Sequence, residues 1–288
     1  MPQAIYQVDA FARRPFAGNP AAVCPLPAWL PAETMQQIAA ENNLAETAFF
    51  VPLPPEAEVG AGADFHLRWF TPTFEIDLCG HATLATAHVL WTELGFERPE
   101  IVFQSRSGPL RVRREAAAAD TIDADGRLVL DFPSRPPRPL TLAEDSVDFR
   151  AALTASLGPG AATPLAVLAS RDVLVEFAHA ADVLALRPDF VALAGLGYVG
   201  LIATAPGAAP DVDFISRFFA PEVGVPEDPV TGSAHSTLIP FWAAKLGKAE
   251  LFARQESARG GELWCRLRGG RVDIGGYAVT YLRGEIII

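Results

Sequence analysis

A chain of 288 residues that is 50% hydrophobic can bury a large core and has the length of roughly two domains. Its formal net charge of −11 argues against a nucleic-acid or anionic-membrane partner, since both require clustered Lys and Arg. Three cysteines at no zinc or disulfide spacing, no basic-then-apolar leader and no apolar run of spanning length predict a soluble, cytoplasmic protein with reduced thiols.

In chain order, "AIYQVDAF" alternates apolar residues as an opening strand does, and Gly18-Asn19-Pro20 follows as a turn signal. Residues 31–43 read as a helix with a proline near its start and Met35, Ile38 and Ala39 on one side. "ETAFFV" and "DFHLRWFTP" are strands. A long apolar helix is predicted over 80–94, stopped by Gly95. A hairpin turns at Ser107-Gly108-Pro109, and its Arg111, Arg113 and Arg114 belong to the outer face of a strand. Residues 116–126, "AAAADTIDADG", are small and acidic, and read as a linker or a long hairpin tip. The second half predicts a strand at "RLVLDFP", a helix near "VDFRAALTASLG", a strand at "RDVLVEFA" and a helix near "ADVLALRPDFVALAGL". Strands at "GYVGLIATA" and "VDFISRFFAP", a helix over 232–246 and three closing strands complete it.

Two stretches repeat each other: "RWFTPTFEIDLCGHATLATAHVLWTELG" and "RFFAPEVGVPEDPVTGSAHSTLIPFWAAKLG". Each opens on Arg, an aromatic residue, Phe, a small residue and Pro, and each closes with a glycine-led helix ending in Leu-Gly. Cys79-Gly80-His81-Ala82 lies opposite Thr231-Gly232-Ser233-Ala234, and the second copy carries three extra residues, among them Asp228, between proline and helix. Both helices are apolar nearly all round, as buried helices are, and Pro240 is expected to kink the second. The repeat predicts two similar α+β domains, each wrapping a sheet around its helix. Helix N-termini expose unpaired N–H groups and a partial positive charge, and Gly80 and Gly232 admit close approach, so a pseudo-two-fold that faces the two starts would hold a small carboxylate.

The sequence resembles the phenazine-biosynthesis PhzF family, within the diaminopimelate-epimerase-like fold. The resemblance rests on "VDAFARRPFAGNPAAV", "NNLAETAFF", "RWFTPTFEIDLCGHATLATA", "GRLVLDFP" and "EDPVTGSAHSTLIPFWAAKLGK", with a looser match at "GRVDIGGYAVTYLRGEI". It implies an α+β protein of two similar domains, each a curled, mostly antiparallel sheet or barrel around a central buried helix, with the active-site cleft between them. The expected division is 1–116 plus about 278–288, the last strand returning to the first domain, then 126–277, with 117–125 as linker. The resemblance also implies a homodimer, no cofactor or metal, and an isomerase that moves a proton on a substrate like trans-2,3-dihydro-3-hydroxyanthranilate. Carried onto this chain, the catalytic residues are Glu46 as acid/base, His81, Asp228 and Ser233. Gln255 is followed by Glu256, where the family often has glycine.

Each residue also has a plainer reading. Glu46 is either a solvated strand-start residue or a carboxylate desolvated beside its apolar run, with its pKa raised for proton transfer. His81 either caps a helix or polarises a carbonyl. Asp228 is a turn residue or an orienting acid, and Ser233 a first-turn hydroxyl or a substrate contact. The Gly232 and Ser233 amides are the expected carboxylate contacts together with Gly80, and Gly18 and Asn19 either line the cleft or form a simple turn. Cys79 stands where related racemases and epimerases keep one of two catalytic thiols, but the matching place holds Thr231, too weak a base to alternate with a thiolate. Two rival functions stand behind the isomerase: an amino-acid racemase or epimerase, and a non-catalytic binder of small carboxylates. A metal hydrolase is disfavoured because His81 and His88 lack a carboxylate at ligand spacing.

Overall fold

The computed structural model describes residues 2–54, 62–115 and 126–288, so the expected linker at 117–125 lies outside the described residues. The chain forms two compact units, Met1–Phe132 with Asp273–Ile288, and Pro133–Val272.

In the first unit, β1 (Pro2–Ala10), β2 (Asn19–Pro25), α1 (Ala32–Asn42), β3 (Glu46–Pro52), β4 (Phe65–Phe70), β5 (Glu75–Ile76), α2 (Gly80–Thr92), β6 (Glu100–Ser105), β7 (Gly108–Glu115) and β8 (Arg127–Pro133) follow in order. The second holds β9 (Arg138–Pro139), α3 (Val147–Ser156), β10 (Ala166–Ala169), β11 (Val173–Glu176), α4 (Ala180–Ala185), α5 (Phe190–Ala194), β12 (Leu201–Pro206), β13 (Phe214–Ala220), β14 (Val225–Asp228), α6 (Gly232–Leu246), β15 (Glu250–Gln255) and β16 (Gly261–Arg268). β17 (Arg271–Gly276) and β18 (Ala278–Ile287) close the chain, with β18 antiparallel to β1.

The domain boundaries differ from those expected. β8 pairs antiparallel with β7, which keeps residues through Phe132 in the first unit. The first unit resumes at Asp273, whose buried carboxylate takes Arg113 at 2.7 Å, so Arg113 is not a mere surface residue of its strand. Four strands rather than three follow α6. The helix expected over "ADVLALRPDFVALAGL" breaks into α4 and α5 at Arg187-Pro188, because proline disfavours helical backbone in the residue before it, and Asp189 caps the new start by accepting from Val191 and Ala192 N–H.

Within each unit the pairing pattern is the same. β1–β2 is antiparallel, β2–β3 parallel, β3–β4 and β4–β5 antiparallel, β4–β6 parallel and β6–β7 antiparallel. The series β10–β11, β11–β12, β12–β13, β13–β14, β13–β15 and β15–β16 repeats those senses one for one. An arginine fixes the same corner in both: Arg68 Nε lies 2.7 Å from Glu75 Oε1, and Arg217 Nε lies 2.7 Å from Glu227 Oε1. Glu75 precedes Gly80 by the same interval as Glu227 precedes Gly232, so the three extra residues fall before Glu227, in the Pro221–Val223 3-10 turn and its flanks. Asp228 therefore matches Ile76 and lies outside the insertion.

α2 packs against β1, β2, β3, β7 and β18, and its residues from Gly80 to Trp91 are buried. α6 packs on β15 and β16 and is buried along most of its length. The expected stops are present: Gly95 and Gly247 are left-handed, at φ 69° and 68°. α6 runs unbroken through Pro240. The Ser236 carbonyl, deprived of its usual donor by the proline, accepts from Arg135 N–H at 2.8 Å. Among the described residues no helix is long and apolar enough to cross a membrane.

Candidate active site

Glu46 begins β3, beside the start of β2 in parallel register (Ala21 opposite Glu46), and both strand starts lie against α2. Glu46 is 9% exposed. Its Oε2 lies 2.9 Å from His81 Nε2, and Asn19 Nδ2 lies 3.1 Å from His81 Nδ1. Cys79 Sγ is 3.5 Å from His81 Nδ1. Glu46, His81 and Asn19 are thus brought together with Cys79, which the sequence leaves without a matching second thiol.

Burial acts to lower the His81 pKa, but the negative partners around the ring outweigh it and hold it well above the ordinary histidine value. Cys79 does not supply that charge near neutrality. Burial, followed by the nearby Glu46 charge, pushes its thiol up to about 11, so it stays protonated and Glu46 is the partner that matters. A neutral His81 would donate from Nε2 to Glu46 and accept from the Asn19 amide. An imidazolium donates at both nitrogens and needs Asn19 to present Oδ1 instead. The trio of Glu46, Cys79 and His81 offers one ligand atom each, all within 4.8 Å of one another, a donor set that a metal can use. The sequence reading found no carboxylate near His81 because Glu46 arrives from a distant strand. His88 is no part of this set: it meets Thr280 at 3.0 Å.

Gly18 has a structural task. Its φ is +65°, and a Cβ there would stand 2.1 Å from the Ala10 carbonyl oxygen. The residue makes the turn that delivers Asn19, itself fully buried.

In the second unit, Asp228 ends β14 and accepts from the Thr231 hydroxyl at 2.5 Å. Gln255, at the end of β15 and fully buried, orders this corner. Its Oε1 accepts from Thr231 N–H at 2.8 Å, which fixes the amide, so Nε2 donates to the Asp228 carbonyl (2.8 Å) and to Thr231 Oγ1 (3.0 Å). The Thr231 hydroxyl proton is then directed to the Asp228 carboxylate. Ser233, on the first turn of α6, accepts from Arg171 Nη2 at 3.1 Å. Thr231, Gln255 and Arg171 were not singled out for this site from sequence. Thr231 carried a signal as the match of Cys79, and Gln255 as the residue before the departure at Glu256, but nothing marked Arg171 in the β10–β11 turn.

The two units are not equivalent in chemistry. Phe49 stands opposite Arg68 and Ala203 opposite Arg217, so three residues earlier Glu46 matches Gly200. A Cβ on Gly200 would lie 2.5 Å from the Phe218 ring. His81 likewise matches Ser233, and Cys79 matches Thr231 at the helix N-caps. One unit carries a carboxylate–imidazole pair, and the duplicate carries glycine and serine in its place.

Paired strands around a buried, glycine-led helix, repeated with one carboxylate–imidazole pair, define an α+β protein of the epimerase-like fold. The chain belongs to the phenazine biosynthesis-like (PhzC-PhzF) family, whose sequence profile it matches over residues 8–284. It is 50% identical over 282 residues to an uncharacterized isomerase of Pseudomonas aeruginosa, covering 98% of this chain and 97% of that one. The crystal structure of a PhzF-family phenazine biosynthesis protein from Enterococcus faecalis superimposes with a TM-score of 0.87 at 42% identity, over 100% of both chains. A probable proline racemase from Agrobacterium radiobacter, with a TM-score of 0.61 at 12% identity over 99% of this chain and 92% of that one, shares the fold alone.

Proposed function

We propose that the protein is an isomerase that moves a proton on a small carboxylate substrate resembling trans-2,3-dihydro-3-hydroxyanthranilate, with Glu46 as the acid/base. The observation that carries this reading is the buried Glu46–His81 pair, 2.9 Å apart, with no carboxylate at the matching Gly200. A lone carboxylate takes a proton from an activated carbon and returns it at another position on the same face. His81 orients Glu46 and balances negative charge that develops as the proton leaves. In the second unit, Asp228, Thr231 and Ser233 serve as orienting groups, and the Gly232 and Ser233 amides as carboxylate contacts. Membership of the family and the isomerase name borne by the Pseudomonas relative support the reading.

The racemase alternative needs two exchanging thiols. It loses support from a protonated Cys79 and from Thr231 at the matching N-cap. The deciding experiment incubates wild type and Glu46→Gln with the dihydro-hydroxyanthranilate in heavy water. Deuterium uptake at carbon should fall by about 10²-fold or more in the variant. Uptake that is undiminished removes Glu46 from the mechanism, and its survival there with loss in Cys79→Ala restores the thiol reading. Binding with no exchange in wild type identifies a carboxylate-binding protein instead.

A further inference from the structure

We propose that Arg171 is a specificity-determining residue that binds the anionic group of the substrate. Arg171 stands in the turn between β10 and β11. Its guanidinium is fixed from behind by Asp172, whose side chain is buried: Nε lies 3.3 Å from Oδ1 and Nη2 3.1 Å from Oδ2. Burial alone would push the Asp172 carboxyl towards its neutral form, and the adjoining guanidinium opposes that.

The remaining reach of Nη2 goes to Ser233 Oγ at 3.1 Å. The two N–H groups of Nη1 have no partner among the described residues, and the side chain is 37% exposed. A buried carboxylate thus holds a cation rigidly with one edge against Ser233 and the other edge free. A surface arginine serving only as an ion pair gains little from such anchoring. Nη1 held this way offers a charge-assisted hydrogen bond to an incoming carboxylate, and little side-chain freedom is left to lose on binding.

The duplicated hairpin sharpens the point. In the first unit the β1–β2 hairpin brings the neutral Asn19 to His81. In the second, the β10–β11 turn brings a cation to the matching helix residue, Ser233. The second unit's turn thus presents a cation where the first unit's presents a neutral amide. This inference rests on the isomerase reading for the assignment of Ser233 to substrate, but its test involves no proton transfer.

The test is calorimetric titration of the full chain with anthranilate and with anthranilamide, its neutral isostere. Wild type should prefer anthranilate by about tenfold or more, the scale of one charge-assisted hydrogen-bonded pair. Arg171→Gln should abolish the preference with an unchanged circular dichroism spectrum, and Arg171→Lys should restore part of it. Glu46→Gln should keep the preference while losing deuterium exchange, so the two proposals fail separately. A preference that persists in Arg171→Gln, or wild type that does not discriminate, overturns the assignment.

Discussion

His81 and His235 occupy matching ends of the duplicated helices and titrate in opposite directions. The negative charge of Glu46 raises one. Burial lowers the other to about 4, with only the Thr231 carbonyl, which accepts from Nδ1, as counterweight. Histidine-selective carbon NMR should therefore show one midpoint above 6.5 that drops in Glu46→Gln, and another near 4. An unshifted His81 resonance in Glu46→Gln would break the pairing on which the acid–base assignment depends. Gly18 invites a different substitution. Gly18→Ala forces a Cβ into the Ala10 carbonyl at positive φ and should destabilise by about 2–3 kcal/mol, read as a lowered urea midpoint. Its effect on exchange should exceed what stability explains, because the turn carries Asn19 to His81.

At the scale of elements, the arginine corners are the shared brace of the repeat. Arg68 reaches Glu75 and lies over the Trp29 and Phe70 rings, both at 5.1 Å to the centroid. Arg217 reaches Glu227 and also donates to the Val183 and Leu186 carbonyls at the end of α4. Replacing Arg217 with methionine strands a part-buried glutamate and should cost about 3 kcal/mol, whereas in Arg68→Met the Arg106 guanidinium still lies 2.9 Å from Glu75 and the loss should be smaller. Arg217→Met should cost more, since the two helix-end carbonyls lose their donor as well. Equal losses in urea unfolding would show that those carbonyl bonds add nothing. Gln255 braces the other end of β14–α6. Gln255→Met takes the side-chain acceptor from the buried Thr231 N–H and one donor from the Asp228 carbonyl, and should cost about 2–3 kcal/mol. The paired arginines and both glycine-led helices were legible in the sequence because they recur at nearly fixed spacing. The placement of Asp228 was not, since spacing alone cannot say on which side of a glutamate three extra residues fall.

For the whole molecule, the two histidines bracket the pH of greatest stability. His81, raised in the fold, contributes stability that is fully present below about 6.5 and is lost as pH rises through its folded value. His235, depressed in the fold, contributes stability that is present above 6.5 and is lost as pH falls to about 4, a span worth about 3 kcal/mol. Urea midpoints measured from pH 7 to pH 4 should fall for wild type, and the fall should be shallower in His235→Met. An identical acid limb in that variant would assign the loss to the paired carboxylates and to His66, which burial also depresses.

Composition, periodicity and the internal repeat determined by themselves that this chain builds two α+β units around apolar helices. Burial of an all-round apolar helix demands surrounding sheet whatever the topology. The resemblance to the PhzF family, carried residue by residue, placed Glu46, His81, Asp228 and Ser233 among the candidates. Only the tertiary structure decided which groups meet: Glu46 and His81 come from a strand and a helix far apart in sequence, and Gln255 closes on Thr231 across a whole helix and strand. Charge and hydrogen-bond partners depend on distances of about 3 Å between such segments, and a linear pattern carries no such distances. The inequality of the two units has the same origin, because strand register is what sets Gly200 where the first unit keeps its carboxylate.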